Sequence, residues 1–153
     1  MAFIMDRWLA KILHFLAMVV LLNGCAGKDE PRLEVWEDGA YRPRAVSAYE
    51  ITGKRDGAAT TAVAMFTFES GVRLRVELKI VYDPTPALGS GQWHLDGVRR
   101  GAGEVRAESL KFLGGQGEGP SLGGRFRLDE NGNPRFRVVL PLRPVDQPDW
   151  RAE

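Results

Sequence analysis

The chain has 153 residues, 44% of them hydrophobic and 27% charged, with 18 glycines and 9 prolines. That length holds one domain, and the composition fits a turn-rich globular body and excludes a disordered tail or a collagen repeat. With 21 basic and 20 acidic residues, no global field would steer the chain to nucleic acid, and it carries no RNP, helix-turn-helix or zinc-finger pattern.

Arg7 and Lys11 precede an apolar run from Ile12 to Leu22 that breaks at Asn23 and Gly24, the layout of a targeting segment. Eleven residues fall well short of the roughly 20 that a helix needs to span a bilayer. The run ends in Leu22-Asn23-Gly24-Cys25, and Cys25 is the only cysteine of the chain. This tetrapeptide resembles the bacterial lipobox: a branched apolar residue, two small ones, and the cysteine that receives the lipid. Asn23 stands where that motif usually has Ala or Ser.

The resemblance covers residues 1–25. It implies a lipoprotein signal peptide over 1–24 and a lipid, palmitate among its chains, on Cys25, which would hold the protein to a membrane without a spanning helix. Ala26 follows the cysteine where lipoproteins kept on the inner membrane tend to carry Asp, which implies the outer membrane, facing the periplasm. Residues 25–32 then read as a tether, 33–145 as the folded domain and 146–153 as a C-terminal tail. Loss of Arg7, Lys11 and Asp6 with the signal peptide leaves 19 basic and 19 acidic side chains. A body of about 120 residues without a cysteine pair must rely on its own core.

In chain order, Leu33–Glu37 and Ala48–Thr52 are short strand candidates. Ala62, Ala64, Phe66 and Phe68 then share one face of a strand. From Val72 to Tyr82 every even position is apolar while Arg73, Arg75, Glu77 and Lys79 take odd ones, a half-buried strand. A three-residue turn, Glu69-Ser70-Gly71, sets Phe68 opposite Val72 and Phe66 opposite Leu74; a two-residue turn would set Phe68 against Arg73. Gln92–Val98 and Glu104–Phe112 follow, the second with a switch of face between Ala107 and Leu110 that signals a bulge.

A last hairpin joins Arg125-Phe126-Arg127-Leu128 to Arg135-Phe136-Arg137-Val138. A Glu130-Asn131-Gly132 loop would pair Phe126 with Phe136, whereas a plain Asn-Gly turn would put Phe136 against Arg127. These eight or so strands, with no 3.6-residue stripe after residue 25, predict an antiparallel all-β fold, a two-sheet β-sandwich with a small β-barrel as the alternative. The six glycines between Gly114 and Gly124 read as a long connection.

Motifs of catalysis are sparse. Gly119-Pro120-Ser121-Leu122-Gly123 matches the spacing of a nucleophile elbow, but a strand rather than a helix follows, and no histidine lies downstream to act as base. Gly115-Gln116-Gly117-Glu118-Gly119 lacks both the spacing and the helix of a phosphate loop. His94 is the only histidine after the signal segment, so the sequence points to no metal site and no cofactor. Gly91-Gln92-Trp93 resembles the opening of the first lipocalin strand, yet it stands mid-chain with too little sequence after it for that barrel. His94, Asp96 and Glu104 are the only loosely clustered acid and base groups available to an enzyme of envelope lipid or glycan.

One constellation follows from the register. With Phe126 and Phe136 facing the core, Arg125 and Arg127 fall opposite Arg137 and Arg135 on the other face, and like charges directly opposed destabilise a sheet. Carboxylates such as Glu77, Glu104 or Glu108 could neutralise them. Alternatively the face, with Arg73 and Arg75, could dock an acidic envelope protein or polymer through bidentate hydrogen bonds. The expectation is a membrane-anchored, non-enzymatic binding or scaffolding module. An immunity or inhibitor lipoprotein that blocks an enzyme is the alternative.

Overall fold

The computed structural model describes residues 30–82, 85–97, 100–113, 121–144 and 150–151. Cys25 with the apolar segment before it, and residues 114–120 of the expected glycine-rich connection, lie outside the described residues, while its last part, Ser121–Gly124, belongs to a strand instead of a loop. Pro31–Glu153 form a compact unit of their own.

The unit is all-β and antiparallel. Its strands are β1 (Arg32–Glu37), β2 (Ala40–Arg44), β3 (Ala48–Asp56), β4 (Ala59–Thr67), β5 (Arg73–Tyr82), β6 (Pro86–Leu95), β7 (Gly101–Leu113), β8 (Ser121–Glu130), β9 (Asn133–Pro144) and the two-residue β10 (Trp150–Arg151). They form one continuous sheet in the order β10-β3-β4-β5-β6-β7-β8-β9-β1-β2. A meander from β3 to β9 is thus flanked by the β1–β2 hairpin on one side and by β10 on the other. Of the two arrangements the sequence allows, this single, strongly curled sheet is the barrel-like one.

Curling follows from burial. The core consists of 18 hydrophobic residues between Leu33 and Leu140, drawn from both ends of the strand order and packed in one cluster. A flat sheet would leave that face in water; rolling it on itself removes both halves from solvent at about 25 cal/mol per Å² of apolar surface buried. All the core residues among those described lie within the compact unit Pro31–Glu153, so a chain starting at Ala26 keeps them.

The β4–β5 hairpin has the expected register. Phe66 lies opposite Leu74, Ala64 opposite Val76 and Ala62 opposite Leu78, and all six side chains are buried. The Phe68 N–H donates to the Val72 carbonyl at 2.9 Å, and Gly71 takes a φ of 80°. The β7 bulge also lies where the face switch placed it, between Ala107 and Ser109.

The last hairpin differs from expectation. Its turn is the plain two-residue Asn131-Gly132, with Glu130 opposite Asn133 and φ values of 52° and 82°. Both signs suit a type I′ turn, whose twist matches that of the strands. A register shift just beyond it makes Arg135 an extra residue, so that Leu128 meets Phe136 and Phe126 meets Val138. The pairing of Phe126 with Phe136 is therefore corrected. The turn chemistry of Asn-Gly wins at the loop, and the bulge restores the match of apolar faces that this turn alone would break.

Two strands went unforeseen. β2 is an edge strand with mostly exposed residues, and its sequence, Ala40-Tyr41-Arg42-Pro43-Arg44, has no apolar alternation. Arg42 and Arg44 lie opposite Val35 and Leu33, on the core side of the sheet, and Pro43 lacks a backbone donor; such features block edge-to-edge pairing. Trp150 and Arg151, in the segment expected as a tail, pair with Ile51 and Glu50.

Trp93 organises the middle of the core. Its indole Nε1–H donates to the Asp129 carbonyl at 3.0 Å, its ring packs edge-on to Phe136 with centroids 5.5 Å apart, and it is paired with Gly103 of β7. A Cβ at position 103 would overlap the Asp129 carbonyl oxygen and lie 2.7 Å from Trp93 Nε1, so only glycine allows this approach. Gly103→Ala is expected to cost about 3 kcal/mol through overpacking, or roughly 10 °C in thermal midpoint for a domain of this size. A circular-dichroism melt checks it, and an unchanged midpoint would refute the close approach.

Candidate functional site

The corrected register rearranges the arginines. Arg106 lies opposite Arg127, Arg127 opposite Arg137, and Arg137 opposite Glu34. Three cations therefore stand in a row across β7, β8 and β9 on the face turned away from the core, where the alternation of each strand puts whatever is not apolar. Arg125 faces Val139 instead of an arginine, and Arg135 is displaced into the bulge. Arg73 and Arg75 lie on β5, separated from β8 by β6 and β7. The expected four opposed guanidinium groups are thus reduced to one opposed pair within the hairpin, extended by Arg106 from its neighbour.

Carboxylates neutralise the row. Asp129, two residues after Arg127 and only 3% exposed, accepts a hydrogen bond from Arg127 Nη2 at 2.9 Å and lies 3.3 Å from Arg106 Nε. Arg137 Nη1 donates to Glu34 at 3.0 Å, while its Nε is 3.0 Å from Glu108, the extra residue of the β7 bulge. That bulge is what lets Glu108 reach past β8. Arg135 pairs with Glu130, Arg75 donates to Glu77 at 2.7 Å, and Arg73 lies 4.0 Å from Asp96. Among the six arginines expected to bind a partner, Arg125 alone makes no ion pair with a described residue.

An aromatic pair closes the end of the row. The Arg137 guanidinium stacks over the Tyr41 ring, 3.6 Å from its centroid, a geometry that favours a cation on an electron-rich face. Trp36 packs edge-on to Tyr41 at 4.8 Å and stays 39% exposed. The Tyr41 hydroxyl is buried without a hydrogen-bond partner among the described residues. Burial pushes its phenol above the ordinary tyrosine value, Glu108 pushes the same way, and Arg137 and Arg127 oppose both. The Asp129 hydrogen bond pushes the Arg127 guanidinium further up.

The acid and base groups do not converge on a cleft. His94 Nε2 is 3.0 Å from Asp96, with both side chains more than half exposed. Glu104 sits beside Gln92 rather than His94. Ser121 opens β8 instead of crowning a strand-to-helix turn. Among the described residues no three His, Cys, Asp or Glu side chains come together as metal ligands. An open depression on β3 and β4, lined by Thr52, Gly53, Lys54, Asp56, Thr61 and Val63, holds one lysine and one aspartate and no nucleophile beyond threonine hydroxyls. Comparison with protein-family models, curated proteins and solved structures finds no match.

Sequence reasoning missed Asp129, Glu34 and Tyr41. For Asp129, a position two residues from Arg127 on one strand face was a usable signal. Glu34 and Tyr41 belong to strands brought in from the other end of the chain and carry no local signal.

Asp129→Asn should leave Arg127 and Arg106 without their carboxylate and lower stability by about 2 kcal/mol, less than a fully buried pair because Arg127 is partly solvated. Urea unfolding measures this. Tyr41→Phe should be neutral or stabilising, because it removes a buried hydroxyl that bonds to nothing. Since the folded phenol ionises above the unfolded one, the native state holds its proton longer, and stability should fall as pH rises through the unfolded value of about 10. Melts of wild type and Tyr41→Phe at alkaline pH should show that slope flattened in the variant.

Proposed function

We propose that this protein is a lipid-anchored bacterial envelope lipoprotein whose β domain acts, without catalysis, as a binding or scaffolding module. The observation that carries the reading is the coincidence at Cys25. The chain's only cysteine follows a basic start, a short apolar run and Leu22-Asn23-Gly24, the arrangement that resembles a lipobox. The compact unit starts at Pro31, so the stretch from Cys25 has the length of a short tether. A lipid there would hold the domain at a membrane surface, and Ala26 favours the outer membrane facing the periplasm.

The balanced, ion-paired β7–β9 face supports a role for the body that is structural rather than chemical. Its arginines hold carboxylates of neighbouring strands, and the exposed His94–Asp96 pair sits on an open sheet surface where a substrate would not be desolvated. A binding partner would then be recognised by surface left over from these pairs.

Full-length protein produced in a Gram-negative host with labelled palmitate should incorporate label and sediment with membranes. Cys25→Ser should lose the label and shift to the soluble fraction. A wild-type chain without label would end the anchoring reading. Crosslinking of the labelled protein followed by mass spectrometry then identifies what the domain binds.

A further inference from the structure

We propose that the end of the sheet where the chain enters the domain is a cationic surface that rests on anionic phospholipid headgroups. Arg32, Lys111 and Arg125 carry it. Arg32 opens β1 and lies opposite Val139, whose other neighbour is Arg125. The two arginines are thus two strand spacings apart, about 10 Å. Lys111 pairs with Gly123 of β8, a diagonal neighbour of Arg125 at about 7 Å.

All three are exposed, and none makes an ion pair with a described residue. Glu34 and Glu108 on this face are both engaged by Arg137, which leaves the exposed Glu30, two residues before Arg32, as an acid at this end. Among the described residues the turns at the opposite end hold more carboxylates, Glu37, Asp38, Glu69, Asp96 and Glu130, than cations such as Arg73 and Arg100. An anionic bilayer would attract one end of this domain and repel the other.

The position of the tether selects lipid as the occupant. Arg32 is seven residues after Cys25, a span of at most about 25 Å. The inference therefore deepens the lipid-anchor reading: acyl chains at Cys25 would bring this end of the sheet, rather than the acidic turns, to the headgroups. One lipid signal combined with a basic patch anchors more firmly than either does alone.

The test uses the unlipidated chain 26–153, its folding verified by a cooperative melt. The probe is vesicles of phosphatidylglycerol and phosphatidylethanolamine, with phosphatidylcholine vesicles as the neutral reference. Sedimentation with the anionic vesicles alone is expected, lost at high salt. Arg32→Glu combined with Arg125→Glu should weaken binding at least about 25-fold, taking roughly fivefold per cation at a membrane surface. Arg73→Glu combined with Arg100→Glu, the same change in net charge at the other end, should weaken it by less than about fivefold, because charges there lie beyond a Debye length.

Equal losses in the two double variants, or equal binding to neutral vesicles, would overturn the proposal, as would no binding at all. The anchor is judged separately by palmitate incorporation at Cys25. A labelled cysteine with no headgroup binding leaves the anchor and sinks the surface; binding with an unlabelled cysteine does the reverse.

Discussion

Everything in this fold depends on keeping apolar side chains on one face of a single long sheet. Strand side chains alternate with a period of two, so a slip of one residue in any pairing would expose a whole set of them. From β3 to β5 the alternation runs without a register shift and β6 adds one at Gly89, away from Phe66, Leu74, Val76 and Trp93, which stack across strands. From β7 to β9 the sequence departs from strict alternation, and the structure repairs it with an extra residue at Glu108 and another at Arg135. Bulges also bend and twist a sheet, so the same insertions that restore parity help it curl.

Parity has a second consequence on the outer face. Once Phe126, Leu128, Phe136 and Val138 are committed to the core, Arg127 and Arg137 must oppose each other, and Arg106 joins them. The repulsion is met by acids that the bulges and the turn deliver: Glu108 from the β7 bulge, Asp129 beside the Asn131-Gly132 turn, and Glu34 from the distant β1. Asp129 links the two faces, since its carboxylate serves the arginines while its backbone carbonyl accepts the Trp93 indole. Core and outer face are thus coupled through one residue, next to the glycine that lets β7 approach.

Much of this was legible in sequence. The β4–β5 register could be read because only one turn length matches apolar residues on both strands. The β7 bulge could be read because the apolar face visibly changes at Ala107. The last hairpin was misjudged because two solutions restore the apolar match, a longer loop or a tight turn with a bulge, and counting residues weighs them equally. The φ > 0 preference of Asn131-Gly132 decided it. β2 escaped because an edge strand buries little and needs no apolar pattern. The opposition of arginines was foreseen as a problem, but not which pairs would be opposed or which carboxylates would answer them, and Arg125 was not distinguishable from its neighbours.

The sequence alone determined the class of the fold, all-β and antiparallel, because period-two alternation and turn residues are local properties of the chain. It also supplied the arrangement around Cys25, which is a linear motif. The tertiary structure decided that the strands make one curled sheet, that β1 lies beside β9 and that Trp150 reaches β3. It also decided that Arg127 and Arg137 are spent on internal pairs while Arg125 beside them is not. These are contacts between residues far apart in the chain, such as Arg137 and Glu34, and no local pattern encodes them; they arise only when one apolar face has to be rolled out of water.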